Sequence, residues 1–248
     1  IQYASNASYG LNMPRLGTKD GLNAPLILPP LAEQHYLADK LDSLLARIQT
    51  LSDQLAAVPA LLKQFRQSVL ADAVSGKLIN IKSLTYQNLN QCAKIHNGAR
   101  KPISLKERNK IQGNIPYYGA TGVVDYVNGY THKGRFLLVG EDGANLLSKA
   151  KDLAYIVEGE IWVNNHAHVL KEYENYSLDF IKIVINSLNL SNWVTGTAQP
   201  KLTKKALESL PIPKFTFAEQ TEIVRRVEAL FALADQIEQQ SRAAAERV

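Results

Sequence analysis

Residues 5–16 read SNASYGLNMPRL and residues 191–202 read SNWVTGTAQPKL, two versions of one segment set 186 positions apart without a gap. The register persists beyond them: Lys19 matches Lys205, Pro25-Leu26 matches Pro211-Ile212, and Ala32-Glu33-Gln34 matches Ala218-Glu219-Gln220. Ungapped agreement that includes prolines and a glycine points to duplication. The period is too long for a solenoid, whose units run about 20–50 residues, so the duplicated unit is a whole domain with its connector.

Each copy passes through a proline-rich stretch, Pro25 to Pro30 and Pro211 to Pro213, into an amphipathic helix. Proline lacks an N–H and disfavours helical geometry in the residue before it, so these stretches are extended and each helix starts cleanly. In the first helix Leu37, Leu41, Leu44, Ile48, Leu51, Leu55 and Val58 step alternately by four and three, the a/d spacing of a coiled coil. In the second, Ile223, Val227, Leu230, Ala234 and Ile237 hold the same register, and Ser241 and Ala244 thin it out. These apolar positions are expected to pack against a helix or a partner. Pro59 is expected to break the first run, so that residues 31–79 form two helices, the second passing Leu62, Phe65, Val69 and Ala73 before stopping at Ser75-Gly76. An unbroken helix over 31–57 would be about 40 Å long at about 1.5 Å per residue.

Residues 80–198 differ in texture. Short β-rich runs, Val123–Val127, Arg135–Val139, Ala154–Val157 and Glu160–Val163, are divided by glycine and asparagine turns, with one helix expected over Asp179–Leu188. The fold class is therefore α+β: a mixed, β-rich domain flanked by long coiled-coil-like helices. At 248 residues, 46% hydrophobic, the chain can bury one or two cores, and no run of about 18 apolar residues suggests a membrane span. The single cysteine, Cys92, reads as a packing residue in a cytoplasmic protein.

Charge is local. Lys94, Arg100, Lys101, Lys106, Arg108 and Lys110 face only Glu107, and this stretch alone matches the formal net charge of +5. Loops that follow carry groups suited to nucleic acid. Lysine and arginine hold phosphates, while arginine, asparagine and glutamine read base edges by paired hydrogen bonds. The candidate contacts are Lys101, Arg108, Lys110, Tyr117, Tyr118, His132, Lys133, Arg135, Asn164, Asn165, Thr197 and Gln199. Tyr117-Tyr118 equally suits the start of a half-buried strand, and Asn164-Asn165-His166 a turn. His166 and His168 lack a cysteine or carboxylate partner at metal-ligand spacing, so no metal site is expected. Gly140-Glu141-Asp142-Gly143 with Lys149 is a weak nuclease-like cluster, better explained as a tight loop. No nucleotide-binding glycine loop is present.

The segment LPPLAEQ at 28–34, the run LLKQFRQSVLADAVSGKL ending at Leu78, and AEQ at 218–220 followed by IVRRVE at 223–228 together resemble specificity subunits of type I restriction-modification systems. YYGATG at 117–122, GEDGAN at 140–145 and WVNNHAH at 162–168 resemble that family's target-recognition domains. The resemblance divides the chain into the tail of one recognition domain (1–30), a central helical spacer (31–79), a complete recognition domain (80–217) and the first helix of a second spacer (218–248). It implies a non-enzymatic subunit that reads one half of a bipartite site in double-stranded DNA, with antiparallel helices that fix half-site spacing and dock modification methyltransferase subunits. Through that complex it would meet the restriction and translocase subunit. S-adenosylmethionine and ATP are expected on those partners and no cofactor on this chain. A family subunit carries two recognition domains, so a fragment of a longer chain is expected, or else a half-subunit that self-dimerises. The competing reading is a coiled-coil scaffold whose globular domain binds a protein.

Overall fold

A computed structural model describes residues 2–10, 13–25, 27–196 and 198–247. Its elements run α1 (Gln2–Ala7), β1 (Ser8–Tyr9), β2 (Arg15–Leu16), α2 (Thr18–Leu22), α3 (Leu31–Val74), β3 (Tyr86–Asn88), β4 (Ala93–Ile95), α4 (Leu105–Arg108), β5 (Gln112–Gly119), β6 (Gly122–Val127), β7 (His132–Gly140), α5 (Asn145–Ser148), β8 (Ala154–Val163), β9 (Ala167–Glu172), α6 (Leu178–Ser187), α7 (Lys204–Glu208), β10 (Pro211–Pro213) and α8 (Phe217–Ala245). Two compact units result, residues 1–56 with 244–248, and residues 57–243.

The sequence repeat is a repeat of backbone. Thr18–Leu22 and Lys204–Glu208 are the same short helix displaced by 186 residues, and Leu31 and Phe217 begin the two long ones. Tyr9 pairs with Arg15 as Thr195 pairs with Lys201. Gly10 and Gly196 both turn these hairpins at positive φ, +104° and +85°. A Cβ would lie 2.9 Å from the Met13 carbonyl oxygen in one copy and 2.5 Å from that of Gln199 in the other, so each turn requires glycine. Gln34 donates to the Pro29 carbonyl (2.7 Å) and Gln220 to that of Phe215 (3.0 Å), which ties each extended stretch to the helix after it.

The chain does not break at Pro59. Helix α3 continues through it, so the expected pair of helices is one. A helix-interior proline loses one backbone hydrogen bond and crowds the carbonyl four residues back, at about 3 kcal/mol. Burial of Leu62, Val69 and Ala73 beyond the proline offsets that penalty, and the surrounding leucines, alanines, glutamines and lysine favour helix.

In the unit of residues 57–243, one sheet has the order β4-β9-β7-β8-β5-β6, antiparallel except for the β5–β8 pair. The apolar run Phe136–Val139 is buried on both faces, which is why it does not alternate with polar residues. Leu137 and Val139 face the main core with Phe180, Ile181 and Val184 of α6, Val69 and Ala73 of α3, and Ile223 and Val227 of α8. Phe136 and Leu138 face a second cluster with Val157, Ile161, Val163 and Val169. Ser177 caps α6, accepting from the Phe180 N–H, and Thr216 and Glu219 form a reciprocal capping box on α8. The two long helices run antiparallel here: Arg66 reaches Asp235 (2.7 Å) and Glu238 (2.9 Å), and Arg226 donates to the Leu78 carbonyl (2.7 Å).

Gly134 and Gly159 lie opposite each other in the β7–β8 hairpin, and both have positive φ. The hairpin bends there, so both ends of β8 come to the end of β5: Val163 pairs with Tyr118, while the Tyr155 hydroxyl donates to the Gly119 carbonyl at 2.7 Å. That bend gathers the connecting loops at one place.

Candidate nucleic-acid interface

Four loops meet at Glu141, just past the end of β7. Its carboxylate accepts from Arg100 Nη1 at 2.6 Å and lies 3.2 Å from Lys201 Nζ. Its backbone N–H donates to the His166 carbonyl (2.8 Å), and its carbonyl accepts from the Leu202 N–H (2.8 Å). Arg100 reaches further, donating to the carbonyls of Ala167 (2.9 Å) and Asn165 (3.3 Å). Burial works against ionisation of Glu141, but the Arg100 hydrogen bond and the nearby positive charges outweigh it and hold the carboxyl below its ordinary range.

His168 is buried beneath this pair. Its Nε2 lies 2.8 Å from the Leu202 carbonyl, which requires a proton there, and its Nδ1 accepts from Asn97 Nδ2 at 2.9 Å. The ring is therefore neutral, and burial keeps its pKa below the usual histidine value. Asp142 pairs with His166 Nδ1 (2.8 Å), and the Gly143 N–H donates to the Pro200 carbonyl (3.0 Å). Around this fixed centre Lys101, Asn165, His166, Gln199 and Lys201 remain open to solvent. Lys149 is not part of the cluster; its ammonium caps α6 by donating to the carbonyls of Asn186 and Leu188.

The basic run wraps a small neighbouring core of Tyr117, Val127 and Trp162, closed by Ile103 and Ile111. Trp162 Nε1 donates to the Lys101 carbonyl (2.7 Å), with the Lys101 ammonium 5.8 Å over the indole. Arg108 lies 4.9 Å over the Tyr117 ring, pairs with Asp125 (2.7 Å) and donates to the Ile103 carbonyl (3.0 Å). Lys106 and Lys110 stay exposed.

Residues 84–247 match the type I restriction modification DNA specificity domain family. The chain belongs to this family. It is 39% identical over 160 residues to a Haemophilus influenzae protein described as a type I restriction enzyme specificity subunit, an overlap that takes in 64% of this chain and 40% of that one. To the EcoBI specificity subunit of Escherichia coli it is 31% identical over 265 residues, 90% of this chain and 55% of the other. The crystal structure of the HsdS subunit from Thermoanaerobacter tengcongensis superposes with a TM-score of 0.61 at 18% identity, covering 99% of this chain and 62% of that one. The chain thus spans about half the length of the relatives it matches.

Within this specificity-family fold, the twelve contacts expected from sequence separate into distinct environments. Lys101, Asn165 and Gln199 lie on the loops gathered at Glu141 and are exposed. Tyr117 is instead a core residue whose hydroxyl accepts from the Ile103 N–H (3.2 Å), and Tyr118 packs on Tyr155. His132 is buried, held by Thr131 Oγ1 (2.8 Å) and the His96 carbonyl (3.1 Å). Asn164 is buried as well, and its side chain accepts from the His166 N–H. Arg108 and Arg135 are engaged by Asp125 and Asp179, and Lys133 pairs with Glu160 at the surface. Lys110 remains exposed beside α4. Thr197 lies outside the described residues. The sequence places Arg100 in the basic run without naming it or Lys201 among the candidate contacts, and gives Glu141 as part of a tight loop with a weak nuclease-like cast. The repeat carried one signal for Lys201, because Arg15 stands at its equivalent position.

Proposed function

We propose that this chain is a non-catalytic DNA-recognition component of a type I restriction-modification complex, working in the cytoplasm, and that residues 80–217 read one half of a bipartite site. The observation that carries the reading is the collection of Lys101, Asn165, Gln199 and Lys201 on one solvent-facing loop end fixed from beneath by a buried ion pair. Lysines supply phosphate attraction, and the two amides have the paired donor and acceptor that read adenine. Chemistry is assigned to partners: methyltransferase subunits carrying S-adenosylmethionine, docked along the helices, and an ATP-driven restriction subunit. No helix among the described residues is long and apolar enough to cross a membrane.

The test is selection. The purified chain, mixed with a methyltransferase subunit of a matching system, is incubated at moderate salt with 30-base-pair duplexes of randomised sequence. Enrichment of a short motif is expected. Retention of duplexes without sequence bias would overturn the reading, and binding that is insensitive to salt would favour the scaffold alternative.

A further inference from the structure

We propose that Glu141 is a positioning residue for sequence reading, a buried carboxylate that locks the three base-facing loops into one geometry and holds back the phosphate-seeking charge of Lys201. The assignment rests on the DNA-reading function proposed above.

The bonds of this carboxylate and its backbone reach three other segments, at Arg100, at His166 and at Lys201-Leu202. Arg100 ends the loop before Lys101, and its second and third bonds fix the carbonyls at Asn165 and Ala167. Lys201 closes the hairpin that carries Gln199, paired twice with Thr195. The Glu141 peptide bridges His166 and Leu202, so the strand bonds and the ion pair converge on one residue. Glutamine and asparagine side chains discriminate bases only if their planes are held in register, because a paired hydrogen bond fails with a small displacement. The loop backbones that carry Asn165 and Gln199 are held by contacts that lead to this carboxylate.

Lys201 differs from Arg100. Its side chain is 52% exposed, against 16% for Arg100, so it can leave the carboxylate for a phosphate. Two cations against one carboxylate leave the cluster with one net positive charge. Removing the carboxylate frees Lys201 and loosens the loops at the same time. Affinity for any DNA should then rise while discrimination falls, whereas a loss of folding lowers both.

The experiment uses the same complex, the duplex it enriches, and a scrambled duplex of equal composition. Glu141→Gln, of nearly the same shape, is expected to bind the scrambled duplex several-fold tighter, with a salt slope steeper by about one, and to lose at least about ten-fold of the preference, as one spoiled bidentate base contact does. A parallel drop in binding to both duplexes would mark Glu141 as merely structural and overturn the assignment, as would an unchanged preference. Should Glu141→Gln fail to fold, Arg100→Lys decides: it keeps the charge, but its ammonium ends one bond short of the Nη1 position that serves Glu141, Asn165 and Ala167 together, so preference should fall with the salt slope unchanged. Intact preference in that variant overturns the proposal. A wild-type complex with no preference to lose removes the DNA-reading function itself and this assignment with it.

Discussion

The two copies of the repeated segment have the same backbone and opposite surroundings. Leu37 and Ile223 hold the same place in the two long helices, yet Leu37 is 55% exposed and Ile223 is fully buried. The contrast runs along the whole stripe. Leu41, Leu44, Ile48 and Leu51 are exposed and Leu55 half-buried, while Val227 and Ala234 are buried, Leu230 is partly covered and Ile237 is exposed. The copy richer in leucine is the one left open. Apolar periodicity therefore specifies that a helix has a sticky face, and the rest of the domain decides whether that face is covered.

Substitution at paired positions puts the contrast under strain. Ile223→Ala is expected to destabilise the chain by about 2–5 kcal/mol through lost burial and a cavity among Val69, Ala73 and the sheet, and Leu37→Ala by less than about 0.5 kcal/mol. Urea unfolding followed by circular dichroism measures both, and equal losses would mean that the Leu37 stripe is covered in solution. Next in size are the paired glutamines. Gln220 is buried, accepts from the Ser177 N–H at 2.9 Å and donates to the Phe215 and Asn175 carbonyls. Its replacement by alanine strands buried groups and should cost about 2 kcal/mol, against a few tenths for Gln34→Ala, which loses one bond near the surface. Similar values would show that the second copy's buried polar links contribute nothing beyond the local turn.

The smallest effect concerns pH. Burial lowers the pKa of His168 and of His96, so the unfolded chain binds protons at each site more readily than the folded one. Their contribution is full above the ordinary value of 6.5 and is lost as the pH falls from there through the lower folded-state values. The urea midpoint should accordingly drop between about pH 7.5 and about pH 5.5, and His168→Gln should remove part of that drop. His168 bonds to the Leu202 carbonyl, whose counterpart in the first copy is Leu16, which pairs with Ser8. A drop of equal size in the His168→Gln chain would remove the histidine from the account.

Sequence alone determined the repeat, the onset of a long helix after each proline-rich stretch and the β-rich character of the middle, because each depends on neighbours within a few residues. Pro59 marks the limit of that local reasoning: the penalty it imposes is local, while the burial of Val69 and Ala73 that helps offset it comes from distant strands and helices. Lys101, Asn165 and Gln199, named from sequence for their residue types, stand exposed on the loops that the fold gathers at Glu141. Tyr117, His132 and Asn164 are buried instead, because a polar or aromatic side chain serves equally to satisfy a core, and only the tertiary structure says which groups find partners inside. Glu141 was hidden for the converse reason. Its partners Arg100 and Lys201 lie 41 and 60 residues away in the chain, and the bend at Gly134 and Gly159 helps bring their loops together. Local propensity fixes what each segment becomes, but the energy of burying a charge is settled only by what the fold places beside it.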